Sequence, residues 1–137
     1  MRKTWALVTC GFIGVFGLAG LTAEKPPDDY SKAEKGIGAA AQTLTMAIKA
    51  EDFDTVSTSA GTIVDAFPVV EKYWTGKAED AVKLAQAAAK AAADLRAVAA
   101  LKSSDGVAYS AKELTDACQQ CHAAHREMLP DGSFQIK

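Results

Sequence analysis

No stretch of this chain alternates polar and apolar residues over the roughly four to eight positions that a half-buried strand needs, so a sheet-based domain is excluded. Basic residues are not in excess: 15 Lys and Arg stand against 17 Asp and Glu, for a formal charge of -2. That balance excludes nucleic acid as a partner, because binding a polyphosphate depends on clustered cations. Apart from two His close together near the C-terminus, nothing pairs a nucleophile with a base, so hydrolase or transferase catalysis is not expected and the chain is read as a non-enzyme. Cysteine is scarce, at three residues, and two of the three fall within four positions of each other at Cys118 and Cys121.

The chain opens with a basic pair and a single apolar run. Arg2 and Lys3 precede Trp5 to Leu21, and Leu21-Thr22-Ala23 offers a small residue at a cut before the polar Glu24-Lys25-Pro26-Pro27. This is the layout of a secretory signal covering residues 1–23, and it predicts an exported, periplasmic protein. An uncleaved membrane anchor is the alternative, since 17 apolar residues approach the minimum span. The four glycines of the run and the cut at its end favour cleavage. A lipoprotein reading through Cys10 fails because its apolar region would be only Trp5 to Thr9. Cleavage would leave 13 basic against 17 acidic side chains on 114 residues, which suits one compact domain.

Residues 24–29 read as a linker, with Pro26-Pro27 enforcing extended backbone. Residues 30–137 then carry four helical patterns. From Tyr30 to Ala50 the stripe is Ile37, Ala41, Leu44 and Ile48. A second helix, capped by Asp52 or Asp54, carries Val56, Ala60, Ile63, Val64, Phe67, Val70 and Trp74, and Pro68 predicts a kink or break near Phe67. A turn at Thr75-Gly76-Lys77 leads to a third helix, Ala78 to Lys102, with Ala81, Leu84, Ala85, Ala88, Ala92, Leu95 and Ala99 inward. Its alanines favour the helix and let neighbours approach closely. After the loop Ser103-Ser104-Asp105-Gly106, a last helix from about Val107 to Leu129 ends at Pro130-Asp131-Gly132. Four helices of similar length with short connections predict an all-α, up-down-up-down four-helix bundle.

The chemistry is concentrated in Cys118-Gln119-Gln120-Cys121-His122, because C-x-x-C-H is the attachment signature of a c-type haem. Both thiols and the imidazole fall on one face of a helix. Each thiol can add across a haem vinyl group, and His122 can ligate the iron as its proximal ligand. The cofactor expected is therefore one covalent haem c. Two other readings compete. The cysteines can form a thiol or disulfide pair, although no thioredoxin-like strand-helix-strand pattern surrounds them. Cys118, Cys121, His122 and His125 can in principle hold zinc, but all four lie on one short helical stretch, whereas structural zinc sites draw on two chain segments.

With C-x-x-C-H on the last helix of a bundle, the chain resembles the class II c-type cytochromes, the cytochrome c prime-like family. Those proteins follow the motif, after two residues, with an aromatic and then a basic residue. Here the continuation is Ala123-Ala124-His125-Arg126, so His125 stands where Phe or Tyr is usual. The resemblance implies that Arg126 pairs with a haem propionate or lines the proximal rim, with an ordinary solvated Arg as the alternative. His125 is expected beside the porphyrin, packing, bonding a propionate or tuning the potential. Met128 lies one and a half turns beyond His122 and cannot reach the opposite face of the iron. Relatives that use a sixth ligand place it in the first helix, where Met46 is the only methionine. If Met46 ligates, the haem suits electron transfer with redox partner proteins. If it does not, the site binds a small gas such as nitric oxide or carbon monoxide. The family often dimerises through its first two helices, which makes a homodimer a further expectation.

Overall fold

The computed structural model describes residues 24–137, and the expected signal or anchor of residues 1–23 lies outside them. Four helices of 22 residues each follow in order: α1 Asp28–Lys49, α2 Phe53–Trp74, α3 Glu79–Ala100 and α4 Ser104–His125. They form the all-α four-helix bundle, each helix packed on its neighbours in sequence. Among the described residues no helix is long and apolar enough to cross a membrane.

The connections are tight because each helix end prepares the next helix start. After α1, Glu51 takes φ 52°, the Glu51 N–H donates to the Ile48 carbonyl, and the Asp52 N–H donates to that of Ala47. The same pair of bonds closes α3, where Lys102 has φ 53° and Ser103 reaches back to Val98. This is the left-handed C-terminal motif usually built on glycine. The residue completing each motif is the N-cap of the following helix. Asp52 accepts from the Thr55 N–H at 3.1 Å, and Ser103 Oγ accepts from Gly106 at 3.2 Å. A side chain at Gly106 would meet Ser103 and Val98 at 3.0 Å, so the expected loop at Ser103-Ser104-Asp105-Gly106 is a capped first turn.

The core follows the predicted stripes of α2 and α3 closely. Val56, Ile63 and Leu95 are its largest fully enclosed side chains. Alanines 81, 85, 88, 91, 92 and 99 line the inner face of α3, and their small volume allows α2 and α4 to approach on either side. Pro68 does not break α2, which runs through it to Trp74. The proline is exposed, so the carbonyl one turn earlier that loses its N–H partner lies on the side open to water.

Two segments differ from the sequence expectation. α4 ends at His125 rather than Leu129. Residues Arg126–Met128 (β1) leave the helix and pair antiparallel with Phe134–Ile136 (β2), in the register Arg126 to Ile136 and Met128 to Phe134. Pro130 holds the residue before it in extended backbone, and the turn is tied by Asp131 Oδ1, which accepts from the Ser133 N–H at 2.9 Å. The expected linker is not free either. Glu24 pairs with Ile136, Pro26 is buried, and α1 already begins at Asp28.

α1 and α4, the first and last helices, pack far less closely than the consecutive pairs. The gap between them is a cleft along one side of the bundle, and Phe134 of the hairpin closes one end.

Candidate functional site

Cys118, Cys121 and His122 occupy the last two turns of α4, and all three line one cavity of about 320 Å³ between α4 and α1. Ile37, Gly38 and Ala41 of α1 form the facing wall, Phe67 and Val70 of α2 with Leu84, Ala85 and Ala88 of α3 form the floor, and Phe134 of the hairpin closes one end. A volume of this order and a mostly apolar lining with a few convergent polar groups are the properties of a cofactor pocket. Amphipathic patterning explains the placement. Cys118 and Cys121 continue the face that buries Leu114 and Ala117, and His122 sits at its edge with its side chain 45% exposed.

Burial, and behind it the Glu34 carboxylate, pushes both thiols up to about 11. A thiol-disulfide catalyst needs the opposite, a thiolate stabilised at neutral pH. In the haem-free chain, alkylation of these thiols by iodoacetamide is therefore expected to rise about tenfold per pH unit from pH 7 toward 11. A rate already level near pH 8, followed by mass spectrometry, would show an activated thiol pair instead.

Three charged or titratable groups meet at the mouth of the cleft. Glu34 Oε2 lies 3.5 Å from His122 Nε2 and 3.8 Å from Arg126 Nη1, and Arg126 Nη1 is 3.3 Å from His122 Nε2. In the tautomer protonated at Nδ1, His122 Nε2 accepts the guanidinium N–H with the lone pair that metal ligation would use in its place. The Arg126 guanidinium stacks on Phe134, 3.8 Å from the ring centroid. Its Nε–H is buried without an acceptor. A buried donor left unpaired is costly, and it belongs to a residue that lines the cavity.

The structure separates the other two expected residues from the cavity. His125 turns the other way: its Nε2 lies 2.7 Å from Asp80 Oδ2 at the start of α3, and its ring packs 4.8 Å from that of Trp74. That hydrogen bond is the main reason the Asp80 carboxyl titrates below the ordinary carboxylate range. His125 thus ties α4 to α3 and α2 and does not line the cavity. Met46 is 64% exposed and lines no part of the cavity. For Met46 to ligate, its side of α1, with Ala39 and Thr43, would have to face the haem, and the packing does not put it there. The cleft wall is the Tyr30, Glu34, Ile37, Ala41 side, and Ala39 and Thr43 face solvent.

Zinc fits poorly. Among the described residues no three His, Cys, Asp or Glu side chains converge as ion ligands. Haem c fits better, because the attachment thiols, an imidazole, an apolar slot and a guanidinium whose Nε–H lacks an acceptor share one cavity.

Glu34 and Phe134 belong to this site and were not singled out in the sequence. Glu34 had a signal: with Tyr30, Ile37, Ala41 and Leu44 it recurs at spacings of four, three, four and three, a lone charge on an apolar stripe. Comparison of the chain with family models, curated proteins and solved structures finds no match.

Proposed function

We propose that the chain is an exported mono-haem c-type cytochrome that transfers electrons, with haem c joined by thioethers to Cys118 and Cys121 and ligated by His122. The observation that carries this reading is the shared cavity: the three motif residues open onto one apolar slot, beside an Arg126 donor lacking an acceptor. When bound, the haem would supply a one-electron ferric and ferrous couple. The protein's part is positioning and exclusion. α4 fixes the two sulfurs and the imidazole on one helical face, the α1, α2 and α3 walls keep water from the slot, and Arg126 offers a charge-assisted bond to a propionate. Export to the periplasm follows from the signal-like residues 1–23, and the partners are redox proteins that dock near the cleft mouth. A homodimer is compatible with this reading.

A second reading, binding of nitric oxide or carbon monoxide at an open iron position, is favoured by one observation. Met46 points to solvent. Visible spectra of both oxidation states test the two together. Met46→Ala is expected to leave both spectra unchanged, and neither protein should show a methionine-to-iron charge-transfer band. Electron exchange with a small soluble cytochrome supports the carrier. Its failure, alongside tight nitric oxide binding, would overturn the carrier in favour of the gas binder.

A further inference from the structure

α1 puts two charged groups at the gap facing α4, the exposed Lys35 and the more buried Glu34. The Glu34 side chain is 12% exposed, on a wall shared with Tyr30, Ile37, Gly38 and Ala41. A carboxylate in such a position is costly to desolvate, and an apolar residue at the same register would complete the stripe. The charge that is kept there is not remote from the motif. It stands 3.5 Å from the Nε2 atom of His122. Arg126 is the opposing charge beside the same nitrogen, at 3.3 Å. The two are not equally screened: the Arg126 side chain is 25% exposed, twice the value for Glu34.

We propose that Glu34 sets the reduction potential of the haem held by Cys118, Cys121 and His122, lowering it, with Arg126 as the counterweight that raises it. This rests on the haem reading above. Oxidised iron carries one more positive charge than reduced iron, so a nearby anion favours the oxidised state and a nearby cation the reduced one. Both effects are strengthened where water is excluded. The more buried charge is the less screened, which makes Glu34 the dominant member of the pair. Arg126 is further weakened once a propionate occupies its free Nε–H.

The test is a spectroelectrochemical titration of the haem-loaded protein at fixed pH, with haem per chain and thermal unfolding measured alongside. Glu34→Gln is expected to raise the reduced-to-oxidised ratio at a fixed applied potential by about tenfold, equivalent to roughly 59 mV for one electron. Arg126→Gln should move it the opposite way. A loaded Glu34→Gln protein whose ratio changes by less than about twofold, or two variants that shift in the same direction, overturns the proposal. Should Glu34→Gln fail to take up haem, the Arg126→Gln arm decides, and no downward shift there counts against the pair. A wild-type chain without covalent haem removes the cytochrome reading itself, whereas a loaded protein with an unmoved potential removes only the role given to Glu34.

Discussion

Replacing Cys118 and Cys121 together by alanine is expected to yield a chain that releases all of its haem in acidic organic solvent, while the wild type keeps one haem per chain through the same extraction. The thiols differ from the rest of the cavity lining in being able to bond covalently: each could add across a vinyl double bond, the sulfur to one carbon and the hydrogen to the other, with no oxidant consumed. Their burial and the nearby Glu34 keep them protonated, so they do not drift into disulfide exchange as activated thiolates would. Both side chains are half-buried at the cleft rather than enclosed in the core, and alanine is the best helix former. The double variant should therefore keep its helical circular dichroism, and loss of helicity would mean that the cysteines act mainly in packing. Release of haem from the wild type under extraction would end the covalent-attachment reading.

The helices were legible in the sequence to the extent that each buries a single face against two neighbours. α2 and α3 do so, and the predicted stripes Val56 to Trp74 and Ala81 to Ala99 are the observed core almost residue for residue. α1 packs closely on α2 only. Its buried set shifts to Tyr30, Ile37, Ala40, Leu44 and Ala47, while Ala41, predicted inward, becomes cleft wall. A pattern read on one helix cannot report a missing neighbour, and that missing neighbour creates the cavity. The turns were hidden for a different reason. Glu51 and Lys102 adopt left-handed backbone that sequence rules reserve for glycine, so the tight C-terminal motifs carried no glycine to mark them. The hairpin strands have three residues each, too short to show alternation. At the site, spacing and resemblance single out the C-x-x-C-H run and Arg126, which the structure brings to one cavity. Glu34 was not evident, because a charge at one position of an amphipathic helix reads as an exposed residue until the facing helix is known. Ligation by Met46 required the side of α1 opposite its apolar stripe to face the haem, and the packing turns that side to solvent.

His122→Ala is the variant expected to change the iron site most without touching the thioether positions. The wild-type imidazole offers Nε2 at the cleft mouth, beside Arg126 and Glu34, and no other described imidazole is near enough to replace it. His125 is one helical turn farther along, but it is held by Asp80 at 2.7 Å and stacked on Trp74, on the side away from the cavity. Freeing it would break that pair and turn the end of α4 against the hairpin, where the Lys137 N–H donates to the His125 carbonyl at 3.1 Å. The alanine variant should therefore mature with a yield at least about tenfold below wild type, since even groups that only orient a metal ligand are commonly worth 10–100-fold. Any protein that does mature should retain covalent haem through Cys118 and Cys121 but show an altered ferric and ferrous spectrum. Imidazole added to the medium should restore part of the wild-type spectrum, because the cavity left by the side chain opens to solvent at a residue already 45% exposed. His125→Gln serves as the control: it removes the Asp80 contact and leaves Nε2 of His122 in place, so its haem content should match the wild type. If His122→Ala keeps the wild-type spectrum while His125→Gln loses it, the proximal ligand is His125 and α4 must rotate by about one residue when haem binds.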